Sequence, residues 1–144
     1  MHADFPLPDV QWEPTRQFWA AAARGTLMIP RCDACARYVW YPETPCRHCG
    51  AERQTWTEMS GRGRLFSWSV VHHAWIPQFA DRLPLVTALV ALEEEPAVRL
   101  VTYIVDCPLD RLHCEMPVRA VFLPLRYSGV AGEVVAPLFV PADG

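Results

Sequence analysis

The chain contains no lysine; all thirteen of its basic positions are arginine. Arginine's planar fork suits phosphate and carboxylate groups, but usage this one-sided is explained more simply by GC-rich coding. Positive charge is not in excess either. Sixteen acidic residues leave a formal net charge of −3, which supplies no basic stripe for a phosphate backbone and disfavours nucleic acid as a partner. Long hydrophobic runs are missing too. The longest apolar stretch, LPLVTALVAL (83–92), is about half of the roughly 20 residues a membrane-spanning helix needs, and no basic-then-apolar leader opens the chain. The expectation is a cytoplasmic protein with no membrane contact. Internal repeats and low-complexity tracts are also lacking.

What is present describes an ordinary globular chain. Of 144 residues, 51% are hydrophobic and 20% charged, enough to bury a working core in one compact unit or in a small core with an appended module. Two large domains are excluded. Three regions are expected: an N-terminal arm and helix over 1–30, a four-cysteine ribbon over 31–56 and a barrel over 57–144. The arm begins MHADFPLPDVQWEP, whose prolines discourage regular structure. In TRQFWAAAARG (15–25), Thr15 is placed to cap a short helix and Gly25 to stop it. Phe18, Trp19, Ala22 and Ala23 then share a face that packs on the rest of the chain.

From Gly61 onward, β-branched and aromatic runs are split by Gly and Pro. Five strands are predicted: RLFSWSVVHHAW (64–75), LVTALVALE (85–93), VRLVTYIV (98–105), VRAVFLPLR (118–126) and VVAPLFV (134–140). A mostly β chain with five strands and few helices suggests a small barrel of the OB-fold kind. LVTALVAL and AVFLPL are apolar on both faces, so something must cover the outside: the helix and cysteine module in part, a partner surface for the rest.

The segment RCDACARYVWYPETPCRHCG (31–50) holds two C-x-x-C pairs, Cys32 with Cys35 and Cys46 with Cys49. In a reducing compartment, paired motifs read as metal ligands before disulfides. Two facing knuckles make a tetrahedral four-sulfur site that suits zinc, and Gly50 supplies the positive φ a knuckle turn requires. An iron centre of rubredoxin type accepts the same four thiolates. A thioredoxin-like site needs only one pair, in a strand-then-helix context that neither pair has. With four thiolates no position is left for water or substrate, so the metal is read as structural, with His48 outside the ligand set.

Other reactive side chains are weaker signals. Cys107 and Cys114 are expected to be reduced, half-buried loop thiols. His72 and His73, at the end of the first long strand, should face opposite sides, ahead of a loop carrying Trp75 and Phe79. Glu93 to Glu95 are expected in a solvated turn. Arg62 and Arg64, interleaved with Gly61 and Gly63, form an arrangement able to approach a phosphate, though a strand-entry turn explains it equally well. Phe66, Trp68 and Tyr103 are the aromatic platforms on which single-stranded nucleic acid would stack if the barrel were a nucleic-acid module. A metal enzyme with an exchangeable water ligand is a third alternative.

The order of parts, with Phe18–Trp19, L-x-I-x-R-C at Leu27 to Cys32, Tyr41–Pro42, Ser60 to Gly63, Pro84 and MPVRAVF from Met116, resembles over nearly the full chain a known family. It is the acyl-CoA-associated family with a rubredoxin-like zinc ribbon and an OB-fold, known as domain of unknown function 35. The resemblance implies a subunit that is not catalytic alone and docks through its OB-fold on a thiolase-fold protein in a hetero-oligomer, sharing a CoA thioester with it. The reactions implied are retro-aldol shortening of steroid side chains by lipid-transfer-protein-like aldolases, condensations in archaeal thiolase and hydroxymethylglutaryl-CoA synthase assemblies, and acyltransfer to phenolic compounds. Retro-aldol cleavage is favoured. Substrate or interface contacts are assigned to Trp19, Arg62, Arg64, His72, His73, Trp75 and Phe79. EEEP at 93–96 and Cys114–Glu115 stand where family members often carry glycine, so the turns there should differ.

Overall fold

A computed structural model describes residues 3–142; the first two residues of the expected arm and the last two of the expected barrel region lie outside that range. The arm runs through turns into a 3-10 turn at Glu13–Thr15, with Pro14 where its missing N–H costs nothing. Helix α1 (Arg16–Ala23) continues from it. Thr15 occupies the N-cap but makes no capping hydrogen bond, a departure from expectation. The helix follows directly on the 3-10 turn, in which Thr15 N–H bonds Trp12 O at 3.1 Å, and Thr15 at φ −114°, ψ 2° lacks the extended backbone of a capping residue. Gly25, at φ 78°, ends the helix as expected. The buried face is Phe18, Ala21 and Ala22, with Trp19 half-buried and Ala23 exposed. Five residues on from Phe18, Ala23 has turned about 140° away from it.

Two strands precede the barrel. β1 (Met28–Cys32) and β2 (Gln54–Glu58) pair antiparallel, Met28 opposite Glu58 and Cys32 opposite Gln54, and the cysteine segment lies between them. Neither was predicted: Pro30 interrupts β1, and only Trp56 marks β2 as apolar.

The five predicted strands are present as β3 (Arg62–Val71), β4 (Leu85–Leu92), β5 (Arg99–Ile104), β6 (Pro117–Leu125) and β7 (Val134–Pro141). They close into a barrel in the order β3, β4, β5, β7, β6, with β5 and β7 parallel and β6 returning to β3. This is a Greek-key arrangement of the OB-fold type, closed by short pairings: Arg62 to Arg64 of β3 against Arg119 to Pro117 of β6, and Ile104 of β5 against Phe139 of β7. The first strand starts and stops earlier than 64–75. Residues 72–75 leave the sheet for a loop that continues into a 3-10 turn at Pro77–Arg82, so His72 and His73 do not alternate across a strand, and both are exposed.

Leu65, Val90, Leu92, Leu100, Val118 and Phe139 fill the barrel, each at most 2% exposed. Phe18, Leu27 and Ile29 belong to the same core cluster. Outside the wall, Leu125, Tyr127, Ala136 and Leu138 form a second cluster on which Leu7 of the arm and Trp19 of α1 rest. Part of the doubly apolar barrel is therefore covered from within the chain.

Candidate metal centre and clefts

Each cysteine pair is folded by the same backbone device. In the first knuckle Ala36 N–H bonds Cys32 O at 2.9 Å; in the second Gly50 N–H bonds Cys46 O at 2.8 Å. The donor residue must adopt positive φ in both. Gly50 does so at 78°, and Ala36, at 64°, accepts the same conformation with a side chain. Cys32 N–H to Arg37 O and Cys46 N–H to Ala51 O, both 2.9 Å, tie the knuckles down.

The folded knuckles bring Cys32 Sγ within 3.6 Å of Cys49 Sγ and Cys35 Sγ within 3.9 Å of Cys46 Sγ, with all four sulfurs inside 4.8 Å of one another. A tetrahedron of thiolates at about 2.3 Å from a central ion has edges of about 3.8 Å, so the donor set and its spacing fit such an ion. The backbone N–H of Cys35 leads in holding the Cys32 thiol down at about 7, against the opposing effect of burial. Ala51 N–H lowers Cys49 as well, yet hydrogen bonding with Cys32, burial and the other two thiols push it up to about 11. Four sulfurs this close do not ionise together without a cation between them. The four cysteines form a zinc-ribbon-type metal site of the structural kind. His48 lies outside the cage, its Nε2 donating to Tyr38 O at 3.2 Å.

Arg47, which carried no signal in the sequence, secures the loop between the pairs. It donates to Trp40 O at 3.0 Å, Tyr41 O at 2.7 Å and Glu43 Oε1 at 2.5 Å. The Trp40 ring stacks on Tyr41 at 4.7 Å and lies 4.9 Å from Phe18. These rings, with Trp19, the arm prolines and Val101 of β5, line an apolar groove of about 380 Å³ between arm, helix, ribbon and barrel wall.

The residues assigned from sequence to substrate or interface contact do not converge. Trp19 lines that groove. Arg62 and Arg64 border another cleft, of about 480 Å³, together with Phe66 and Arg99. Trp75 stands out of the β3–β4 loop at 87% exposure with its ring against His73 at 4.7 Å, while His72 is a separate exposed residue of that loop. Phe79 turns inward, 5.4 Å from Tyr127.

Trp40, Tyr41, Arg99 and the Tyr103–Tyr127 hydroxyl pair, 3.1 Å apart, carried no positional signal linking them to these clefts. Glu93 and Glu94 do more than occupy a turn: Glu93 accepts from Arg62 at 2.7 Å and Glu94 from Ser60 N–H at 2.5 Å, clasping the entry to β3. Cys107 is half-buried as expected, its thiol 3.4 Å from Pro108 O, while Cys114 is exposed because its loop carries it outward.

A four-sulfur ribbon mounted on a closed five-stranded barrel defines a zinc-ribbon OB-fold protein. Residues 19–53 match the family model for the ChsH2 rubredoxin-like zinc ribbon domain, and residues 56–123 match that for the ChsH2 C-terminal OB-fold domain. A "DUF35 domain-containing scaffold protein" of Methanocaldococcus jannaschii is 33% identical over 77% of each chain. A "Probable enoyl-CoA hydratase alpha subunit" of Thermomonospora curvata is 36% identical over 87% of this chain, which spans 37% of that relative's length. Among solved structures, an "Ltp2-ChsH2(DUF35) aldolase" chain superposes with a TM-score of 0.79 at 32% identity, over 94% of this chain and 99% of that one. The chain belongs to the ChsH2/DUF35 family. Among the described residues, no helix is long and apolar enough to cross a membrane.

Proposed function

We propose that the chain is a non-catalytic accessory subunit that docks on a thiolase-fold enzyme and helps it hold an acyl-CoA, in retro-aldol cleavage of a steroid side-chain CoA thioester. The observation that carries this reading is the superposition, nearly end to end, on a chain of an assembly described as an aldolase. The name of the Thermomonospora relative supplies a chemical link. Hydration of an enoyl thioester gives a 3-hydroxyacyl thioester, the compound that a retro-aldol step cleaves between its second and third carbons. Zinc is the metal proposed for the four cysteines, since it takes tetrahedral thiolate ligation without redox chemistry.

The test is reconstitution with a thiolase-fold candidate partner. A stable complex should co-elute, and it should release a shortened thioester and a carbonyl product from a 3-hydroxyacyl-CoA that neither chain cleaves alone. Turnover by this chain alone would overturn the accessory role, and an intact complex that acts on other thioesters would overturn the reaction. Elemental analysis showing one zinc per chain supports the metal assignment; iron with a visible absorption band refutes it.

A further inference from the structure

The strand register lines up charge on one outer face of the barrel. Arg64 of β3 sits opposite Ala91 of β4, and Ala91 sits opposite Arg99 of β5, so one row across the sheet reads arginine, alanine, arginine. Two residues back along β3, Arg62 sits opposite Arg119 of β6. Four guanidinium groups thus gather at one end of a face, in a chain whose net charge is −3. Like charges on neighbouring strands destabilise a sheet unless something offsets them. For Arg62 that is Glu93. Among the described residues, Arg64, Arg99 and Arg119 form no ion pair.

Arg64 and Arg99 are nevertheless held in place. Arg64 Nη1 donates to Glu115 O at 3.1 Å. The Arg99 guanidinium lies 3.9 Å over the centre of the Phe66 ring. Phe66 is available because β3 bulges between Leu65 and Ser67; the unpaired residue turns outward and stays 41% exposed. Both arginines border the cleft of about 480 Å³, which Ala91 leaves open between them and which Glu93 and Glu115 also line.

We propose that this cleft binds a phosphate ester, with Arg64 and Arg99 gripping the phosphate across Ala91 and the Phe66–Arg99 stack offering a flat surface to an attached purine. The charge pattern fits a small phosphorylated ligand and not a nucleic-acid strand. The next row across the sheet is Ser67, Leu89 and Val101, which gives a continuing sugar-phosphate chain no cation to follow. The identity of the ligand rests on the acyl-CoA reading above, and on that reading the adenosine-phosphate end of the thioester takes the arginine row.

The experiment is calorimetric titration of the metal-loaded chain with adenosine 3′,5′-bisphosphate. Beside it run the double variant Arg64→Ala/Arg99→Ala, the single variant Arg99→Lys, and Arg126→Ala as a charge control at a residue paired elsewhere with Glu133. Saturable one-site binding is expected for the unmodified chain, weakened by about ten-fold or more in the double variant and unchanged in the control. Arg99→Lys keeps the charge but not the flat stack, and should fall between them. Metal content and unfolding midpoint check that each variant is folded. No saturable binding to the unmodified chain, equal binding by the double variant, or tighter binding of a single-stranded oligonucleotide overturns the proposal. Partner co-elution is scored separately. A complex that forms without bisphosphate binding sinks the phosphate site and leaves the docking; binding without a complex does the reverse.

Discussion

Ala36 and Gly50 occupy matching places in the two knuckles, yet only one of them is a residue at ease with positive φ. The conformation costs an alanine about 1–2 kcal/mol, part of which a glycine gives back through the greater freedom of its unfolded chain. Ala36→Gly should therefore raise the stability of the metal-loaded chain by about 1 kcal/mol or less, and Gly50→Ala should lower it by a similar amount, both read from thermal unfolding. Only Gly50 stood out in the sequence, because alanine carries no mark of the turn it will be asked to make.

A second residue-scale expectation concerns Tyr127. Burial, and then its hydrogen bond with Tyr103, push its hydroxyl well above the usual tyrosine range. Above pH about 10 the unfolded chain loses this proton while the folded chain keeps it, so the unfolded state binds fewer protons and stability falls as pH rises. Tyr127→Phe should flatten that alkaline decline in unfolding titrations followed by ultraviolet absorbance. An unchanged slope would show that Tyr127 ionises freely in the fold.

At the scale of elements, Gly63 sets how closely β3 approaches β4. A Cβ built there would stand 2.6 Å from Ala91 O and 2.7 Å from Val90 Cγ1. Neither the strand backbone nor a side chain packed at 0% exposure can easily move aside. Gly63→Ala is expected to cost about 1–3 kcal/mol, visible as a lower urea midpoint, with the metal retained. The barrel strands were legible because their β-branched runs lie between Gly and Pro breaks, as VRLVTYIV does. β1 was not, since Pro30 interrupts it and its last residue reads first as a ligand. The bulge at Phe66 was also hidden: an extra residue shifts the side-chain alternation by one place, and the apolar pattern alone extended the strand to Trp75. Ribbon spacing singled out the four cysteines whose sulfurs the fold brings together, whereas Arg99 joins Arg64 only through cross-strand register, which no local motif encodes.

Taken as a whole molecule, the chain covers part of its barrel with its own arm and helix and leaves a large aromatic residue standing in water. Trp75, 87% exposed, makes its ring contact with the neighbouring exposed His73. Trp75→Ala should leave the unfolding midpoint nearly unchanged, as surface substitutions shift stability by about 0.5 kcal/mol or less. If the β3–β4 loop anchors the complex, affinity for a thiolase-fold partner should fall by about ten-fold or more in a co-elution or interferometry titration. Equal affinity would place the contact elsewhere on the barrel.

The two family models part between residues 53 and 56, but the hydrophobic contacts ignore that seam. Phe18, Leu27 and Ile29 lie upstream of the cysteines and share a core with Leu65 and Phe139 downstream of them. Scissors at the seam would bare a greasy wound on both pieces. Ribbon and barrel are therefore expected to stand only as a joined pair, each the missing wall of the other.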